Sequence, residues 1–131
     1  MPRCLLHGPL EKRPLGKSIS TRNLLALAGW KDRHLVLFPT QVSWFEKATT
    51  DEEGNVKISG APLGSLVLGP GALLFKNLDS ETNKYWTFGV QESAGGSRLV
   101  LKAPSETERT SWTDALERAI DALQKGIDLE K

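Results

Sequence analysis

The sequence predicts a mainly β protein, an antiparallel sandwich or barrel of seven short strands closed by one C-terminal α-helix. Three observations lead there. Short segments with strand period alternate with turn residues through most of the chain. One strong helical stripe is confined to the end. A length of 131 residues suits a single domain, spanning residues 1–131 with its core over about 8–124.

The strand candidates, in order, are "GPLEKR", "HLVLF", "QVSWFEK", "GSLVL", "ALLFKNL", "KYWTFGVQ" and "RLVLKA". All but "GPLEKR", which is added near the start to make seven, are rich in β-branched and aromatic residues. The punctuation between them, "FPT", "DEEGN", "GPG", "DSETN" and "SAGG", is made of the residues that favour turns. Two connections are long. Residues 14–29 are basic at Lys17 and Arg22 and then apolar at Leu24, Leu25 and Leu27, while residues 48–62 are acidic and polar, with room for a short extra strand at "VKI".

The helix is predicted over about 105–124. Ser105 and Glu108 have capping-box spacing, in which each side chain satisfies the other's free backbone N–H. Pro104 closes the preceding strand. Trp112, Ala115, Leu116, Ala119, Ile120 and Leu123 then form an apolar stripe down one face, and Gly126 is placed to end the helix.

Composition narrows the function. Hydrophobic residues make up 39% and charged residues 25% of the chain, the balance of a soluble globular protein. No apolar run is long enough to span a bilayer, and "MPRCLLHGPL" is too short in apolar residues for a secretory signal, so a cytoplasmic location is expected. Pro2 occupies the place where myristoylation needs glycine. Cys4 is the single cysteine, and His7 and His34 lack metal-ligand spacing, so no metal site or cofactor is expected. The chain has no phosphate-cradling Gly-rich motif and no nucleophile with its base, which argues against an enzyme. A net charge of +1 without a basic–aromatic platform argues against nucleic-acid binding.

That small net charge hides an asymmetry. Residues 1–47 carry eight basic side chains against three acidic, whereas the remainder carries nine against thirteen. The N-terminal third can therefore attract an anion locally.

The order and wording of these segments resemble the pleckstrin homology domain. "GPLEKR" is similar to that family's first strand, "WKDRHLVL" to its second, "VSWFEK" to its third and "TFGVQ" to its sixth. "RLVLKAPSETERTSWTDAL" is similar to its last strand and helix, with Trp112 as the characteristic helix residue. The likeness runs from about Gly8 to Leu123. It implies a bent sandwich of two nearly orthogonal sheets with a helix over one end, and loops around the other end where many members bind phosphoinositide headgroups. It also implies a basic motif, which falls here on Lys12, Lys31 and Arg33. Trp44 stands where many such members carry a headgroup-contacting Tyr.

Strand alternation gives those positions a physical meaning. Leu10 and Lys12 share one face, as do Lys31, Arg33, Leu35 and Leu37. If the leucines point into the core, the cations reach the open rim, and a hairpin brings the end of the first strand beside the start of the second. Lys offers point charge and Arg a fork of donors, both suited to phosphate. Asp32 faces away. The rival reading is an ordinary solvated rim, with Trp44 a packing aromatic.

The expected function is thus a membrane-targeting module for an anionic phospholipid headgroup, a phosphoinositide or a simpler lipid such as phosphatidic acid. The alternative is a protein-interaction module on the same scaffold. Candidate headgroup contacts are Lys12, Lys31, Arg33, Arg13, Lys17, Arg22 and Trp44. Leu24, Leu25 and Leu27 either insert among lipids or fold back onto the protein. The expected partners are an anionic membrane lipid and a possible protein, with no nucleic acid, and the chain is expected to be a monomer in the cytoplasm and peripherally at a membrane.

Overall fold

The computed structural model describes residues 4–13, 30–46, 48–50, 53, 56–58 and 61–127. Its elements are β1 (Leu6–Lys12), β2 (Lys31–Phe38), β3 (Gln41–Phe45), β4 (Ala48–Thr50), β5 (Val56–Ile58), β6 (Gly64–Val67), β7 (Leu73–Phe75), α1 (Asp79–Thr82), β8 (Thr87–Gln91), β9 (Arg98–Lys102) and α2 (Glu106–Lys125). The seven expected strands are β1, β2, β3, β6, β7, β8 and β9. They form one antiparallel sheet in the order β6-β3-β2-β1-β9-β8-β7. The extra strand expected at "VKI" is β5, which pairs with β4 in a separate two-stranded ribbon.

β1 is the hinge of this sheet. Along its whole length it pairs with β2, but it meets β9 only at Glu11 and Lys12, so the two arms join at one corner. Inward-facing residues from both arms then enter a single core. Leu35, Leu37, Val42 and Trp44 come from one arm, and Phe88, Val90, Leu99 and Leu101 from the other. A sheet whose two arms share one core must fold over on itself, as a bent sandwich does.

α2 closes this core with Trp112, Ala115, Leu116, Ala119 and Ile120, all buried. Its start shows the serine half of the predicted capping box. Ser105 is extended, and its hydroxyl oxygen accepts from the Glu108 backbone N–H. At the other end Gly126 adopts the left-handed conformation, φ 74°, which costs glycine nothing, and its N–H returns to the carbonyls of Ala122 and Leu123.

One turn differs from expectation. "DSETN", read as a plain turn, contains the helical turn α1, because the Asn77 side-chain oxygen accepts from the Asp79 N–H and Asn83 ends it at φ 59°. Asp79 then serves as a junction. Its carboxylate accepts from the Thr87 N–H, the Thr87 hydroxyl and the Arg109 guanidinium of α2 at 2.9–3.0 Å. Turn, strand and helix are thereby tied at one point.

Candidate functional site at the β1–β2 mouth

Register places the cations. Lys12 lies directly opposite Lys31, and Leu10 opposite Arg33. The leucines on the same faces are buried, with Leu10 at 3% exposure and Leu35 and Leu37 at 0%. The inward stripe therefore runs from core to rim and ends in three positive side chains, as strand period requires. Asp32 alternates to the other face, where it is paired across the hairpin with Glu11.

The three cations are not equivalent. Lys31 is exposed and Arg33 half-buried. Arg33 donates from Nη1 to the backbone carbonyl of Asp32 at 2.8 Å, which leaves its other N–H groups available. Lys12 turns inward. Its ammonium lies 4.6 Å from the centroid of the Trp44 ring and donates to the Arg13 carbonyl at 3.2 Å. Burial first, and then the nearby Arg33 charge, push the Lys12 pKa below its ordinary value. Among the described residues, no carboxylate forms an ion pair with Lys12, Lys31 or Arg33.

Trp44 is buried, at 7% exposure. It faces Leu35 on β2 and Gly64 on β6, and its ring fills the space that a Cβ at Gly64 would take. It is both packing aromatic and floor for Lys12. Arg13 is occupied elsewhere, with its guanidinium carbon 6.0 Å from the Trp30 ring centroid and its backbone N–H on the Val100 carbonyl. Lys17, Arg22, Leu24, Leu25 and Leu27 lie outside the described residues.

The sequence reading missed the Lys12–Trp44 contact and a histidine pair on the opposite face of the hairpin. His7 could have been found from the register. With Pro9 opposite His34, His7 becomes a diagonal neighbour of His34 on the same face. Among the described residues no cluster of three or more metal-ligating side chains is present, and no helix is long and apolar enough to cross a membrane.

Comparisons with known proteins agree with this fold. The family model described as "PH domain" matches residues 5–121. A search of curated protein sequences finds no match. Among solved structures, the C-terminal domain of pleckstrin in complex with D-myo-Ins(1,2,3,5,6)P5 is similar at 21% identity and a TM-score of 0.62, covering 92% of this chain and 98% of that one. The corresponding domain of human oxysterol binding protein-related protein 11 is similar at 23% identity and a TM-score of 0.62, covering 96% and 88%. The Slm1 domain in complex with phosphoserine is similar at 21% identity and a TM-score of 0.60, covering 88% and 94%.

Proposed function

Because this chain belongs to the pleckstrin homology domain family, whose members are lipid- or protein-interaction modules, we propose that it binds the phosphorylated headgroup of an anionic membrane lipid at the β1–β2 mouth. The observation that carries this reading is the direct opposition of Lys12 and Lys31 with Arg33 two pairs inward, the next position on the same face. Like charges opposite each other in a sheet repel, and a phosphate seated among them turns that cost into attraction. Phosphate-bearing ligands appear in the complexes of two similar domains, an inositol pentakisphosphate with pleckstrin and phosphoserine with Slm1.

Lys12 is partly committed to Trp44 and the Arg13 carbonyl, so Lys31 and Arg33 have the most donors to offer. This favours a ligand with one phosphomonoester at the mouth, a requirement met by phosphatidic acid and by phosphoinositides alike. Lys31 and Arg33 each contribute about 1 kcal/mol near an anionic surface. Their joint replacement by Ala should then weaken liposome partitioning by about thirtyfold.

The test is co-sedimentation with liposomes that vary headgroup at constant total negative charge, at two ionic strengths. Binding that depends on headgroup, falls with salt and is lost in the Lys31→Ala/Arg33→Ala double variant is the expected result. Binding that this variant retains sinks the site. Salt-independent association with a protein in place of lipid moves the function to the protein-interaction class.

A further inference from the structure

On the face of the β1–β2 hairpin turned away from the mouth cations, His7 Nδ1 stands 3.0 Å from His34 Nε2. The ring centroids are 5.1 Å apart, with the planes inclined by 41°. His34 is buried at 8% exposure, whereas His7 is exposed. Two imidazole nitrogens at this distance share a single proton, one donating and the other accepting. A second proton would place two N–H groups head to head, so the pair keeps one lone pair directed into the gap.

The separation also matches another occupant. Nitrogens bound side by side to one metal at roughly 2.0–2.1 Å each lie roughly 2.8–3.4 Å apart. We propose that His7 and His34 form a two-imidazole chelate for a divalent transition metal, with Cu2+ held more tightly than Ni2+ or Zn2+ and water completing the coordination. The preference follows the ordinary affinity order of such ions for nitrogen ligands.

The proton balance is simple. A metal held by His7 Nδ1 and His34 Nε2 requires His7 protonated at Nε2 and His34 at Nδ1. Whichever ring now donates in the gap moves that proton to its other nitrogen through solvent, and the neutral pair releases none. Each ring also turns about its Cβ–Cγ bond so that both lone pairs meet at the ion, a motion that exposed His7 has room to make.

The charged neighbours on this face support a cation. Glu11 and Asp32 sit opposite each other, next along the hairpin toward the mouth, and Glu11 is paired with Lys102 of β9 at 3.2 Å. Phe45 of β3 lies across from His34, and Ser43 across from Val36. This site is independent of the lipid mouth, because it uses the opposite side chains of the same hairpin.

The experiment uses the full chain with Cys4→Ser, which removes the exposed thiol as a competing ligand. Cu2+ is titrated in a weakly coordinating buffer by calorimetry and followed by electron paramagnetic resonance. The expected result is one saturable Cu2+ per chain with nitrogen superhyperfine coupling, lost in both His7→Ala and His34→Gln. His7 is exposed, so His7→Ala should keep a cooperative thermal transition, which certifies its fold. Saturable binding that persists in folded His7→Ala, or parent spectra without nitrogen coupling, overturns the assignment.

Discussion

The ammonium of Lys12 is stacked on the indole of Trp44, 4.6 Å from the ring centroid, and this contact sets the character of the mouth. It holds one of three converging cations half inside the protein. Cation–π attraction, about 0.5–1 kcal/mol for such a pair, offsets part of the desolvation.

The Lys12 pKa should therefore respond to ligand. In the folded protein it lies below the ordinary 10.5, chiefly through burial and then through Arg33. The folded state thus releases this proton at lower pH than the unfolded chain, and stability should rise as pH climbs from the folded pKa toward 10.5. An anion at the mouth favours the charged form, so adding a soluble inositol phosphate should move the Lys12 titration upward. An NMR pH titration of the Lys12 Cε signal, with and without ligand, measures this. An unmoved midpoint would show that the anion does not reach Lys12.

Trp44 and Gly64 should behave as one unit. A Cβ at Gly64 would lie 2.7 Å from Trp44 Cε2, closer than atoms tolerate. Because the ring is buried and Gly64 pairs with Trp44 across β3 and β6, the ring can yield only by repacking. Gly64→Ala should cost about 1–3 kcal/mol in urea unfolding. In a Trp44→Leu background the same change should cost much less, and that non-additivity is the signature of the contact.

The Asp79 junction should weaken in acid. Burial alone would raise its pKa, but the Thr87 N–H, the Thr87 hydroxyl and Arg109 outweigh it and hold the carboxyl below its ordinary 3.8. A depressed folded pKa means that the stabilisation is complete above 3.8 and is lost as pH falls through the folded value. Asp79→Asn should be less stable than the parent at neutral pH, and the gap should narrow on acidification below 3.8. Urea denaturation across that range reads the gap directly. A constant gap would mean that the Asp79 charge contributes nothing.

Removing the helix cap should have a smaller, pH-independent effect. Ser105→Ala leaves the Glu108 N–H without its hydroxyl acceptor and should cost about 1 kcal/mol. That corresponds to a fall of about 4 °C in the thermal midpoint for a domain of this size. Ser105→Asp keeps an acceptor and should recover most of the loss.

Much of the fold was legible because it follows short-range periods. Alternation by two put Lys31, Arg33, Leu35 and Leu37 on one face. The helical stripe from Trp112 to Leu123 needed only the 3.6 period, and its ends needed only Ser105 and Gly126. The α1 turn was harder to see. It depends on the Asn77 side chain and on the Asp79–Arg109 contact, whose partners are far apart in sequence.

The sequence by itself determined which residues alternate inward, where the helix starts and stops, and that Lys12, Lys31 and Arg33 would approach one another at a hairpin mouth. Only the tertiary structure decided that Lys12 leaves the solvated rim to cover Trp44, that Gly64 must lack a side chain to admit that ring, and that His7 meets His34 on the other face. The reason is physical. Alternation and capping are fixed within a few residues of chain, whereas register and burial are fixed by the pairing and docking of segments that the whole core brings together.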